Sequence, residues 1–252
     1  MSQPRQPTPS PLIRKLEHGS PLSPADRLLI EKLSEHIAEI PPHRDLIRQG
    51  ETPKYVHVVL EGFACRYKDL PGGERQIVAW LVPGDFCDLH VSVIGEMDHA
   101  IATMTASRIC HLPRDHIEAA LEHRPQLLRA FWWATLVDEA VLREWLVNIG
   151  RRPADRRIAH LFCELLARLQ AVGMAGGGII DFPLTQIDLA DTVGLSAVHV
   201  NRIIQQLRED GLIVWRGGKL RILNPAGLAA FSGFEPAYLH LRADRNPSDR
   251  AA

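Results

Sequence analysis

Residues 184–223 read LTQIDLADTVGLSAVHVNRIIQQLREDGLIVWRGGKLRIL. Thr185 can cap a short helix through Val193, with Asp188 in the capping-box position where Glu is usual. Gly194 allows a tight turn, and Ser196 can cap a second helix reaching Asp210. Two short helices joined by a glycine-containing turn are the signature of a helix-turn-helix. At 100° per residue, Val200, Ile203, Ile204 and Leu207 of the second helix cluster on one side. Val198, Asn201, Arg202 and Gln205 lie opposite, with His199 on the flank. Arg can bond a guanine through two hydrogen bonds, Asn an adenine, and an exposed Val can touch a thymine methyl, so this face suits the DNA major groove. The plain alternative is a solvated polar face; an exposed Val198 beside Arg202 argues against it. After Gly211, residues 212–215 and 220–223 flank Arg216-Gly217-Gly218-Lys219, a two-stranded wing with a tight turn. Arg216 and Lys219 can meet phosphates or simply form a solvated turn.

Outward from this segment, residues 154–172 read as an amphipathic helix and Gly176-Gly177-Gly178 as a turn. Between 127 and 149, 16 of 23 residues are apolar, and the seven polar ones share no narrow stripe. A helix apolar nearly all round must bury more than one face. One face can cover the β-domain; the other needs a partner, most simply the same helix of a second copy, although a central helix inside a monomer is the alternative. Phe131, Ala134, Val137, Val141 and Trp145 are the expected dimer contacts. Gly150 and Pro153 mark a hinge. From 43 to 112 the period changes to two, with strands near 55–60, 63–70, 77–81 and 102–112 separated by Gly/Pro turns, which predicts a sandwich or barrel. A helix is expected over 24–39, stopped by Pro41-Pro42. Residues 1–24, with six prolines, read as a flexible arm containing one short helical turn. The tail 224–252 carries Phe231, Phe234, Tyr238 and Leu239, apolar enough to dock on the winged unit or its partner.

The order β-roll, long helix, hinge and winged helix-turn-helix resembles the Crp/Fnr family of bacterial transcription regulators, over residues 25–225. The resemblance implies an α+β fold: an N-terminal antiparallel β-roll of cupin-like jelly-roll type (25–124), a long dimerisation helix (125–150) and a C-terminal winged helix-turn-helix (151–223). It also implies a cytoplasmic homodimer on double-stranded DNA with an inverted-repeat operator, and RNA polymerase as a partner for an activator. Family positions matching Val198 and Arg202 are principal base readers. Many relatives carry Glu where this chain has Val198, which alters the expected half-site. The expected DNA-binding set is Thr185, Ser196, Val198, His199, Asn201, Arg202, Gln205, Arg216 and Lys219.

Cyclic-nucleotide-binding relatives clamp phosphate with a Gly-Glu pair and a later Arg-Ser/Thr. Here the stretch is Gly84-Asp85-Phe86-Cys87-Asp88-Leu89, followed by Asp98-His99-Ala100. A carboxylate in place of the Arg repels an anion, so cyclic AMP is not expected. Residues 1–64 contain no cysteine, so the N-terminal iron–sulfur cluster of oxygen-sensing members is not expected either. Haem through His90 or His99, or a thiol switch at Cys87 or Cys163, stays open. No cofactor is identified, and no metal-ligand spacing such as H-E-x-x-H occurs. A redox or ligand module acting on a protein partner is the second functional reading. No nucleophile–base set or P-loop supports an enzyme, and no apolar run approaches the roughly 18–20 residues of a membrane span. The formal charge of −1 conceals an uneven distribution: residues 1–150 sum to −4 and 151–223 to +3. That is the asymmetry expected when one domain meets phosphates.

Overall fold

The computed structural model describes residues 9–182 and 184–242. Ser10 caps α1 (Pro11–Gly19), and Ser23 with Asp26 forms a capping box on α2 (Pro24–Leu33). Strands β1 (Ile37–Ile40), β2 (Asp45–Ile47), β3 (Tyr55–Glu61), β4 (Ala64–Asp69) and β5 (Arg75–Leu81) follow. The short α3 (Val91–Ile94), β6 (Ala100–Thr103) and β7 (Ser107–Pro113) complete the first unit. These strands make two antiparallel sheets, β2-β6-β4-β5 and β1-β7-β3, packed around Ile47, Val59, Leu81, Met97, Ile101 and Ile109. The alternating pattern called for a sandwich or barrel, and the antiparallel β-roll is the form that the family resemblance implied.

Next, α4 (Arg114–Glu122) leads into α5 (Pro125–Arg151), a helix of 27 residues. Only Arg152 and Pro153 separate it from α6 (Ala154–Ala171). The second unit then builds from β8 (Ile179–Asp181), α7 (Gln186–Val193), α8 (Ala197–Glu209), β9 (Ile213–Arg216) and β10 (Lys219–Ile222). Its sheet order is β8-β10-β9, one strand more than the expected two-stranded wing. The chain continues through α9 (Pro225–Ser232) and a 3₁₀ turn (Pro236–Leu239). Among the described residues, no helix is long and apolar enough to cross a membrane.

Three expectations are corrected. The helix beginning at Pro24 ends at Leu33, because Ile37 to Ile40 instead ladder against β7, Ile37 opposite Cys110. A long-range strand partner here overrides the helical spacing of Ile37. The N-terminal arm is structured from Pro11: Leu12, Ile13 and Leu16 are fully buried against Ala130, Phe131 and Ala134. Its prolines act as starts, since Pro at the first helical position loses no hydrogen bond. Gly84 lets α1 come close: at φ +93° it has no Cβ, and one would lie 2.7 Å from the Pro11 carbonyl oxygen. The rest of the arm (1–8) and of the tail (243–252) lies outside the described residues.

The third correction concerns α5. Phe131, Ala134, Val137, Val141 and Trp145 are only 3–9% exposed and belong to the chain's own core. They cannot offer a face to a second copy. The exposed apolar side chains of α5 are Leu128, Trp132, Leu136, Leu142, Leu146, Val147 and Ile149. Projected at 100° per residue, they span an arc of about 160° turned away from Val137 and Val141.

A buried ionic network joins the two units. Asp85, in the turn after β5, is 1% exposed, and its carboxylate pairs with Lys15 of α1 and with Arg168 of α6, the latter at 2.5 Å. Burial alone would raise its pKa, yet these two cations hold it below the ordinary carboxylate value. Arg168 also pairs with Glu164 at 3.0 Å and donates to the Trp80 carbonyl at 2.9 Å. Glu164 in turn accepts from Trp145 Nε1 at 3.2 Å and from the Tyr238 hydroxyl at 2.7 Å. The tail therefore docks on its own chain, with Phe234 and Tyr238 against His160 of α6.

Removing one partner of a buried ionic network leaves uncompensated charge, which costs about 3–5 kcal/mol. Arg168→Met should lower the unfolding free energy by that amount in urea titrations; a change under 1 kcal/mol would show that the network is not needed for stability. A pH effect follows from two histidines. Burial, with Arg152 beside His160 and His57 and His36 beside His111, lowers both pKa values to about 4. The unfolded chain takes up these protons near pH 6.5 while the folded chain refuses them. The stability they contribute is complete above pH 6.5 and is lost as the pH falls through about 4. The urea midpoint should fall over that window, and less steeply in His160→Gln.

Candidate nucleic-acid interface

The winged unit is organised by local capping and one aromatic cluster. Thr185 Oγ1 accepts from Asp188 N–H at 3.2 Å, and Asp188 Oδ2 accepts from Thr185 N–H at 2.9 Å. The other oxygen of Asp188 takes Arg75 of β5 at 3.1 Å, so one carboxylate both starts α7 and ties it to the β-roll. Asp191 binds the same guanidinium at 2.8 Å, and Trp80 Nε1 donates to Thr192 Oγ1 at 3.1 Å. Gly194 ends α7, and Ser196 Oγ accepts from His199 N–H at 3.2 Å to start α8. Beneath them, Phe162, Phe182 and Trp215 pack edge to face, with Phe182 and Trp215 ring centroids 5.4 Å apart.

In α8 the amphipathic division is clean. Val200, Ile203, Ile204 and Leu207 are buried. Val198 is 73% exposed, and His199, Asn201, Arg202 and Gln205 stand in solvent beside it. An apolar side chain held out so far gains nothing from the fold, whereas a thymine methyl would cover it. Asn201 Oδ1 accepts from Gln186 Nε2 at 3.0 Å, which places Gln186 at the same face. Sequence reasoning missed Gln186, because nothing local links the first residue of α7 to the middle of α8. Thr185 and Ser196 are exposed at the adjoining helix starts.

The wing turns at Gly217-Gly218, with φ of +59° and +71°; the two-residue turn pairs Arg216 directly with Lys219. Two positive φ values in succession are the conformation such a hairpin needs. Arg216 and Lys219 are both exposed, and Lys219 lies 3.4 Å from the exposed Asp181. Arg221 adds another exposed cation on the same strand.

In the β-roll, the two carboxylates of the stretch corresponding to the relatives' phosphate clamp are turned inward. Asp85 serves the network above, and Asp88 accepts from His57 N–H at 2.6 Å and pairs with its ring at 2.8 Å. Cys65, Cys87, Cys110 and Cys163 are free and buried. Burial raises all four thiols, Cys65 to about 12 and Cys110 and Cys163 to about 11. A thiol switch needs an accessible low-pKa thiolate, and none of the four provides one.

Comparison with known proteins agrees with this geometry. Residues 156–231 match a Crp-like helix-turn-helix domain, and residues 37–124 match a cyclic nucleotide-binding domain. The nitrogen fixation regulation protein FixK of Bradyrhizobium diazoefficiens is 32% identical over 174 residues, 69% of this chain and 72% of that protein. The transcriptional activatory protein AadR of Rhodopseudomonas palustris is 30% identical over 217 residues, 84% and 87% of the two chains. The solved structure of FixK2 from Bradyrhizobium japonicum superposes with a TM-score of 0.70 at 25% identity, covering 77% of this chain and 95% of that one. With its capped helix pair, its wing and its β-roll matched together, the chain belongs to the Crp/Fnr family of transcription regulators, with a DNA-binding helix-turn-helix.

Proposed function

We propose that the protein works as a homodimer that reads an inverted-repeat operator with the outward face of α8. The carrying observation is the side-chain set on that face: Val198, Asn201, Arg202 and Gln205 exposed over a fully packed apolar side. Arg202 supplies a bidentate guanine contact, Asn201 an amide for adenine, and Val198 a methyl contact in place of the family's common Glu. His199, Thr185 and Ser196 flank the groove edge, and Arg216 and Lys219 of the wing meet phosphates. The net charge of +3 on residues 151–223 is modest, so base contacts and the doubling of sites in a dimer carry much of the affinity.

Pairing is assigned to the exposed stripe of α5. Trp132 and Leu146 are 67% and 75% exposed, on a helix whose other side is already occupied by the chain's own core. Apolar side chains ranged along one helix in this way are the mark of an interaction face. The names of relatives such as AadR, a transcriptional activatory protein, favour activation through contact with RNA polymerase. The signal is not a cyclic nucleotide in this proposal: Asp98 stands where the family keeps the phosphate-binding Arg, and the Asp85 carboxylate is fully engaged.

Selection from random duplexes should return an inverted repeat. In Arg202→Ala the specific affinity should fall by about 1–3 kcal/mol, with one base position per half-site relaxed. Unchanged preference in that variant would remove Arg202 from the reading set. Trp132→Glu combined with Leu146→Glu should sediment as a folded monomer with weak operator binding. An intact dimer in that variant would place the interface elsewhere.

A further inference from the structure

A cavity of about 500 Å³ lies between the β-roll and α5, lined among others by Arg66, Phe86, His90, His99, Thr135 and Asp138. Its chemistry is not that of an anion site. One nitrogen each from His90 and His99 and one oxygen of Asp98 lie within 4.8 Å of one another. The imidazole rings sit 5.5 Å apart, tilted by 36°. Asp98 Oδ1 lies 2.7 Å from His99 Nδ1. With the ring proton on that nitrogen, donated to the carboxylate, His99 Nε2 is left as a bare lone pair. His99 is 8% exposed, and its Nε2 is buried with no hydrogen-bond partner; His90 Nε2 is in the same condition. A buried polar atom that has given up water without a replacement carries a desolvation cost, and two of them beside one carboxylate call for a shared occupant.

We propose that His90, Asp98 and His99 form a binding site for a divalent transition-metal ion of the zinc type. Two imidazoles and one carboxylate are a donor set suited to such ions and poor for magnesium or calcium, which take oxygen ligands. Metal–ligand distances near 2.0–2.2 Å require the three donors to draw together. Asp98, with its side chain 77% exposed, and the half-buried His90 are free to make that movement. Lys15, Arg66 and Lys68 also line the cavity and oppose an ion; Lys15 is paired with Asp85, and Arg66 is paired with Asp138 at 3.0 Å and donates to the Phe86 and Cys87 carbonyls. To join an ion held by His99 Nε2, Asp98 gives up its contact with His99 Nδ1. Positions of the ion not filled by protein open into the cavity, toward α5.

Ion binding at this site does not depend on the DNA assignment, and it is tested without DNA. The full chain, stripped with chelator, is titrated with Co²⁺ followed by its visible d–d absorption, and with Zn²⁺ in competition against a chromogenic chelator. The expected result is one ion per chain, undisturbed by excess Mg²⁺. Asp98→Asn should weaken it by about 10–100-fold, and His90→Ala should abolish the cobalt spectrum. Neither position is fully buried, so both variants should fold, which circular dichroism checks. Equal stoichiometry and affinity in wild type and in a His90→Ala, Asp98→Asn double variant would overturn the site. So would a His90-dependent haem Soret band in a protein that takes up no Co²⁺.

Discussion

The guanidinium of Arg168 and the carboxylate of Asp85 meet at 2.5 Å in a place neither could occupy alone. Both side chains are buried, and an isolated charge there would be prohibitively costly. Each is satisfied only because α1 brings Lys15, α6 brings Glu164, and Trp145 and Tyr238 complete the Glu164 shell. The ion pair thus requires five parts of the chain to arrive together: the β5 turn, α1, α5, α6 and the tail. Well-packed apolar residues could have given comparable stability, so what the network adds is geometrical definition. It sets the winged unit against the β-roll, and the Arg75 contacts to Asp188 and Asp191 hold α7 from the other side.

That placement matters for function because α8 has no role in holding the units together. Its packing against the rest of the chain runs through Val200, Ile203, Ile204 and Leu207, which leaves Val198, Asn201 and Arg202 exposed. The reading surface is presented by a rigid support whose polar demands are met elsewhere. The cavity beside His90 and His99 is bounded by α5 residues Thr135 and Asp138.

Much of the DNA-reading half was legible because its signals are local. Thr185, Asp188, Gly194 and Ser196 act over three or four residues, and the buried and exposed sides of α8 follow from helical spacing alone. The Gly217-Gly218 turn fixes its own register. Legibility failed where the period was ambiguous. Because α5 is apolar nearly all round, its spacing could not say which stripe meets the chain's own core; Val141 and Trp145 were expected at an interface and lie inside. Ile37 fitted a helix by spacing and a strand by partner, and the partner prevailed.

What the sequence by itself determined is the class of the protein: a capped helix pair, a wing, a β-roll pattern, and an acidic half joined to a basic one. Each of these depends on residues a few positions apart. Only the tertiary structure decided that residues 11–19 are an integral helix, that the tail docks on α6, and that His90 and His99 come together, each with an unpaired buried nitrogen. The physical reason is the distance along the chain. Lys15 and Arg168 reach Asp85 across 70 and 83 residues. Charges so far apart in sequence carry no mark of their pairing until burial makes solitude too expensive.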